Sequence, residues 1–153
     1  MIERIDHVNL VVDDIESVIA FYRDVLGLEL TKRATIRGDW IEAVTGLKDV
    51  EADVAFLEAA PGAGAGIELI HYRRPEGPRP EALAAPNTKG IRHFALRVRD
   101  LDAYAKRIEA AGAKLLSPVQ FVPADQVDFA EARKRIAYLL DPEGNLVELC
   151  SFE

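Results

Sequence analysis

The sequence predicts an α+β fold made of two tandem βαβββ modules, and three observations predict it. The ten residues Ile5 to Asp14, IDHVNLVVDD, return as Ile91 to Asp100, IRHFALRVRD, with Ile5/Ile91, His7/His93, Leu10/Leu96, Val12/Val98 and Asp14/Asp100 identical in register. Each copy continues from its aspartate into a segment of helical spacing that stops at a glycine, DIESVIAFYRDVLG and DLDAYAKRIEAAG. Each half then closes on an apolar run with one glutamate inside it, IELIHY at Ile67 to Tyr72 and LVELCSF at Leu146 to Phe152. An offset of about 86 residues is too long for solenoids and propellers, whose repeats run roughly 20 to 50. Two halves of a single domain, 1–153, fit better: an N-terminal module over 1–74, a linker over 75–90 and a C-terminal module over 91–153.

Taken in order, residues 5 to 12 alternate between two faces, Val8, Leu10 and Val12 on one and His7, Asn9 and Val11 on the other, as in a strand. Asp14 is placed to cap a helix, Ile15, Val18, Ile19, Tyr22 and Leu26 recur at helical spacing, and Gly27 ends it. Leu28 to Ile36 reads as a second strand, and Gly38 to Gly46 as a connection with one short helical turn carrying Glu42 and the only tryptophan, Trp40. A solvated glutamate and a packing tryptophan are the default readings there, with an overhang of the site as the alternative. Asp53 to Leu57 is a third strand and PGAGAG, Pro61 to Gly66, a hairpin turn into the fourth, since no Lys-Ser/Thr pair follows to make a phosphate loop.

Arg73 to Gly90 carries four prolines and no sustained apolar periodicity, which marks the linker. The second module repeats the plan with a strand at Ile91 to Val98, a helix at Leu101 to Ala111 and a strand starting near Ala113. The long stretch 117–133 is either a lid or an irregular excursion. Arg135 to Leu140 is a strand, DPEGN at Asp141 to Asn145 a turn, and Leu146 to Ser151 the last strand.

The bulk composition narrows the class of partner. With 153 residues, 49% hydrophobic and 29% charged, the chain can bury a sizeable core. Its net charge of -7, from 26 acidic against 19 basic residues, leaves no basic stripe to neutralise phosphates, so nucleic acid is not an expected partner. No apolar run approaches the roughly 18 residues that span a bilayer, and the start, MIERIDHV, lacks the features of a secretory signal. A lone cysteine, Cys150, gives no intrachain disulfide framework and fits a reducing compartment. The expectation is a cytoplasmic protein without a membrane partner.

Strand parity shows where chemistry can gather. His93, Ala95 and Arg97 share one face of their strand, as His7, Asn9 and Val11 do. Glu68 and Glu148 fall opposite the apolar pairs Ile67/Leu69 and Val147/Leu149. Each module thus places one histidine and one carboxylate on the sheet face turned away from its helix. If the two modules pack with those faces forming a common concavity, two imidazoles and two carboxylates converge. That set balances a dication, whereas without one the carboxylates repel. Taken singly, each histidine is more often a hydrogen-bonded structural residue and each glutamate a solvated one; their equivalent places in a duplicated module raise the weight of metal ligation. His71 has the opposite parity to Glu68 and is left out of the site. Cys150 shares the parity of Glu148 and is expected as a small buried thiol.

The phrases IDHVNLVVDDIESVIAFYRDVLGLEL, GIRHFALRVRDLDAY and DPEGNLVEL, in a twice-repeated βαβββ plan with His early in strand one and Glu in strand four, resemble the vicinal oxygen chelate superfamily. That superfamily includes glyoxalase I, methylmalonyl-CoA epimerase, extradiol dioxygenases and the bleomycin resistance proteins. The resemblance covers essentially the whole chain. It implies a paired, partly closed mixed sheet around a central cavity, with helices outside. It implies that His7, Glu68, His93 and Glu148 hold one divalent ion (Ni, Co, Mn, Fe or Zn) that chelates two adjacent oxygens of a small-molecule substrate. In the glyoxalase and epimerase branches an enediolate or enolate forms while a carboxylate moves a proton. Glu148 is the first choice for that base, Glu68 the second and Glu42 an outside candidate. The epimerase usually has Gln where this chain has Glu68. A homodimer is also implied, with the site closing within one chain or across the dimer.

The leading expectation is therefore a metal-dependent lyase or isomerase. An extradiol-type dioxygenase is the runner-up, although the spare histidine that such enzymes place beside their substrate is here His71, on the wrong face. A protein that sequesters a small molecule is the third reading.

Overall fold

The computed structural model describes residues 1–62, 64–130 and 132–153. The chain divides into two compact units, Met1–Arg79 and Pro80–Glu153. The first contains β1 (His7–Val11), α1 (Ile15–Ala20) running on into a π-helical turn (Phe21–Val25), β2 (Glu29–Arg37), α2 (Asp39–Thr45), β3 (Glu51–Glu58) and β4 (Gly66–Arg74). The second contains β5 (His93–Arg97), α3 (Leu101–Ala110), β6 (Gln120–Phe121), β7 (Lys134–Leu140) and β8 (Leu146–Phe152). The two four-stranded sheets have equivalent orders, β1-β4-β3-β2 and β5-β8-β7-β6. In each the first strand pairs parallel with the fourth, and the remaining pairs are antiparallel. The fold is α+β with two modules of one plan.

The long helix of each module starts and stops by the same local chemistry. The Asp14 and Asp100 carboxylates accept from the backbone N–H of Ser17 (3.0 Å) and Ala103 (2.9 Å), satisfying donors that the first turn leaves free. Gly27 and Gly112 both follow with φ of +80°, a left-handed conformation that glycine adopts without steric cost. Between these stops Ile15, Val18, Ile19, Tyr22 and Leu26 are buried, as are Leu101 and Ile108. α1 lies against β3 and β4, and α3 against β8.

The helix-facing layers of the two sheets correspond residue by residue. Leu10 lies opposite Leu69 and Leu69 opposite Ala55; Leu96 lies opposite Leu149 and Leu149 opposite Ala137. Leu69, Ala55 and Leu149 are completely buried. One ion cluster fastens α3 to its sheet. Arg135 on β7 donates to both oxygens of Asp102 (3.0 and 2.8 Å) and to Glu153 (2.9 Å), which holds Asp102 below the usual carboxylate range.

Several elements differ from the sequence reading. β1 and β5 begin at His7 and His93 rather than at the isoleucines, because their partner strands begin at Gly66 and Leu146. Ile5 and Ile91 are consequently exposed. The last turn of the first helix is π-helical, with Leu26 N–H donating to the Phe21 carbonyl (3.1 Å), a widening that apolar spacing does not reveal. No strand begins near Ala113. Leu115 makes only an isolated bridge to Leu139, Pro118 lacks the N–H that a ladder needs, and pairing resumes in the two-residue β6.

The stretch 117–133, apart from Glu131, which lies outside the described residues, is tied to its sheet. Val122 donates to the Lys134 carbonyl (2.9 Å), and Arg133 exchanges backbone hydrogen bonds with Glu153 (2.8 and 3.0 Å). The expected hairpin turn at Pro61 to Gly66 contains Ala63, also outside the described residues. Trp40 does not pack: it is exposed, while its neighbour Ile41 fills the core side of α2. Among the described residues no helix is long and apolar enough to cross a membrane.

Candidate functional site

Parallel pairing of β1 with β4 sets Asn9 opposite Glu68, and since side chains alternate, His7, Asn9 and Glu68 stand on one face. His7 Nε2 lies 3.4 Å from Glu68 Oε2. The other ring nitrogen, Nδ1, lies 3.1 Å from Asp6 Oδ2, which orients the imidazole and holds the Asp6 carboxyl below its usual value. The Asn9 amide donates to the same Glu68 Oε2 (3.0 Å) and, at 3.4 Å, to the Glu68 main-chain carbonyl. Phe56 sits opposite Glu68 on β3, and its ring meets that of His7 edge-on at 6.3 Å between centroids.

The second module builds the equivalent pair. β5 and β8 set Ala95 opposite Glu148, and His93 Nε2 lies 3.5 Å from Glu148 Oε2. The other oxygen of Glu148, Oε1, accepts from Lys134 Nζ at 2.7 Å. Glu148 is only 4% exposed, so this carboxylate is buried and paired. Tyr138 sits opposite Glu148, where Phe56 sits in the first module, and its ring centroid is 5.2 Å from that of His93. Burial, followed by the adjacent Glu148 carboxylate, raises the Tyr138 phenol above its ordinary value. Further along the same face the Arg97 guanidinium lies 4.4 Å over the Phe152 ring, and Phe152 meets Phe129 edge-on.

The structure thus pairs His7 with Glu68 and His93 with Glu148. Among the described residues no group of three or more His, Cys, Asp or Glu side chains is gathered as a ligand set. The remaining candidates stand elsewhere. His71 turns to the other face and donates through Nδ1 to the Val12 carbonyl (3.1 Å). Cys150 is buried, and burial pushes its thiol up. Glu42 closes the turn after α2, accepting from Asp49 N–H at 3.0 Å with Lys48 Nζ at 3.7 Å from its second oxygen.

Sequence reasoning missed Lys134 and Tyr138 as members of the site. They lie on β7, and only the β7–β8 register, which parity along one strand does not provide, carries them to Glu148. Asn9 was within reach, being two residues from His7 on the same face.

Comparison with known proteins agrees with the duplicated plan. The Glyoxalase/Bleomycin resistance protein/Dioxygenase superfamily model matches residues 4–149. The chain is 30% identical over 152 residues to the 2-epi-5-epi-valiolone epimerase of an Actinomyces species, covering 95% of this chain and 77% of that protein. It is also 30% identical over 116 residues to the ethylmalonyl-CoA/methylmalonyl-CoA epimerase of Cereibacter sphaeroides, covering 76% of each. A glyoxalase family protein from Bacillus cereus superposes with a TM-score of 0.83 at 28% identity, over 99% of this chain and 95% of that one. With two βαβββ modules, a His–Glu pair in each and a family match over nearly its whole length, the chain belongs to the glyoxalase/bleomycin resistance protein/dioxygenase superfamily.

Proposed function

We propose that the protein is a divalent-metal-dependent lyase or isomerase, of glyoxalase or epimerase type, that moves a proton at the carbon next to a carbonyl. One observation carries the reading: each module sets an imidazole Nε2 and a carboxylate oxygen 3.4 or 3.5 Å apart on one sheet face. Donors bound side by side to one ion at about 2.1 Å lie roughly 3 Å from each other, so each pair has the spacing of neighbouring ligands. Two neutral imidazoles and two carboxylates also suit Ni, Co, Mn, Fe or Zn. His7, Glu68, His93 and Glu148 would hold the ion. Bound there, it supplies Lewis acidity that polarises a substrate carbonyl and acidifies the adjacent C–H.

The chain's own residues do the rest. Glu148, or failing it Glu68, takes the proton and returns it, with Oε2 as the acting oxygen of Glu148 because Oε1 is engaged by Lys134. Asp6 fixes the ring of His7, and Asn9 fixes the carboxylate of Glu68. The names of the two epimerases similar to this chain favour proton transfer next to a carbonyl over ring-opening oxidation. We place the protein in the cytoplasm as a homodimer acting on a small substrate with adjacent oxygens.

A second reading, a protein that sequesters a small molecule without metal, is favoured by one contact: Lys134 already supplies Glu148 with a cation. Metal content of the purified protein, wild type beside His7→Ala, decides between them. About one ion per chain, lost in the variant, supports the enzyme and justifies assaying 2-oxo thiohemiacetals and acyl-CoA epimers. No ion after dialysis against Ni, Co, Mn, Fe and Zn overturns it.

A further inference from the structure

Two cations stand on the strands of the second unit that carry His93 and Glu148, facing the same way, and they differ in what they hold. Lys134 Nζ lies 2.7 Å from Glu148 Oε1, whereas Arg97 has no ion pair or hydrogen bond to a carboxylate among the described residues. Elsewhere Arg135 is neutralised by Asp102 and Glu153, and Arg73 by Asp53 and Glu51. Arg97 is exposed, and its guanidinium lies 4.4 Å over the Phe152 ring. Such stacking fixes the guanidinium plane and leaves the N–H donors along its edge available. Phe129 meets Phe152 edge-on, 5.6 Å between centroids, so apolar surface adjoins the charge. The fold does not itself demand arginine here. Four residues after His7, at the equivalent place, stands Val11, 57% exposed and paired with Ile70 as Arg97 is paired with Cys150.

We infer that Arg97 is a specificity-determining residue that binds a carboxylate on the small molecule held by this face, with the body of that molecule lying on the Phe152 and Phe129 rings. The inference rests on the reading that a small molecule binds beside the His93–Glu148 pair, and it holds whether that molecule is turned over or only sequestered. Arg97 stands one same-face step beyond Ala95, which is opposite Glu148, or about 7 Å along the strand. A charge at that spacing meets a group a few bonds away from the ligand atom beside Glu148. The planar fork of a guanidinium matches a carboxylate bidentately. With Lys134 already engaged, one guanidinium balances one negative charge, not the two of a phosphate monoester. The same Lys134–Glu148 pair cancels the buried charge that would otherwise repel an anionic ligand.

The test is a ligand-observed NMR titration of the purified protein with butyrate, benzoate and phenylacetate, each beside its primary amide, repeated on Arg97→Gln and Arg97→Lys. Wild type is expected to bind at least one acid about tenfold or more tightly than its amide. Arg97→Gln should bind that acid and its amide alike, and Arg97→Lys, which keeps the charge without the fork, should fall between. Arg97→Ala repeats the measurement if the glutamine variant fails to fold. Loss of acid and amide binding together would mark a structural arginine and overturns the inference. So does an acid preference that survives the substitution, or one that wild type lacks. Metal content of the same samples separates this inference from the enzyme reading. An Arg97-dependent acid preference in a protein that takes up no ion keeps the inference and overturns the metal enzyme; a bound ion without that preference does the reverse.

Discussion

Leu149→Ala tests whether the helix-facing layer is the main source of stability in the second module. Leu149 is fully buried in β8 between Leu96 and Ala137, directly behind the strand position that carries Glu148. Removing about three CH2 equivalents at roughly 0.8 kcal/mol each costs about 2.4 kcal/mol in transfer free energy alone. Ala137 is too short to fill the space, so a cavity persists and the cost rises to about 3–4 kcal/mol. If the chain melts as one unit, about 2–4 °C per kcal/mol lowers Tm by roughly 6–16 °C. If each module melts by itself, calorimetry shows two transitions and only one of them moves. Leu69→Ala, its counterpart in β4, moves the other. A loss below about 1 kcal/mol would refute the reasoning, since it would mean that the layer relaxes around the deletion as a tightly packed interior does not.

Two further predictions concern the site and its support. On the proposed metal site, Glu148→Gln is expected to keep some of the metal, since His7, Glu68 and His93 would remain as ligands, while solvent-deuterium incorporation into an acyl-CoA epimer falls by about 100-fold or more; undiminished incorporation removes Glu148 as the base. Asp102→Asn is expected to lower stability at neutral pH by breaking the bonds from Arg135. Those bonds depress the folded-state pKa of Asp102 below its unfolded value of about 3.9, so their contribution is present above that pH and fades as pH falls through the folded value. Urea midpoints of variant and wild type should therefore converge as pH falls through the folded value of Asp102, and a gap that stays undiminished in acid would refute the assignment.

Much of the fold was legible because it is written twice. Asp14 and Asp100 cap, Gly27 and Gly112 stop, and alternation along β1 and β5 assigns each side chain to a face; all of these are local signals. The differences arise where a distant partner decides. Pairing with Gly66 and Leu146 starts β1 and β5 at the histidines, and Pro118 interrupts what spacing alone extends into a strand. The same division governs the site. His7 and Glu68 were placed on one face by parity, but the donors that hold the glutamates depend on register between strands far apart in sequence. For that reason Lys134, an ordinary lysine in the linear sequence, acquires its meaning only beside Glu148.

The strand order has a consequence for synthesis on the ribosome. β4 and β8 are interior strands of their sheets, yet each is the last of its module to be made. Within its own sheet, among the described residues, β1 pairs with β4 alone and β5 with β8 alone, so each histidine-bearing strand emerges long before the strand it needs. Closing such a distant pair costs chain entropy before any contact repays it. While translation continues, the nascent chain displays an unpaired strand with Val8 and Leu10 uncovered, then Phe94 and Leu96. The interval between the first and fourth strands is therefore when this chain is most open to capture by a chaperone or by the edge of another chain.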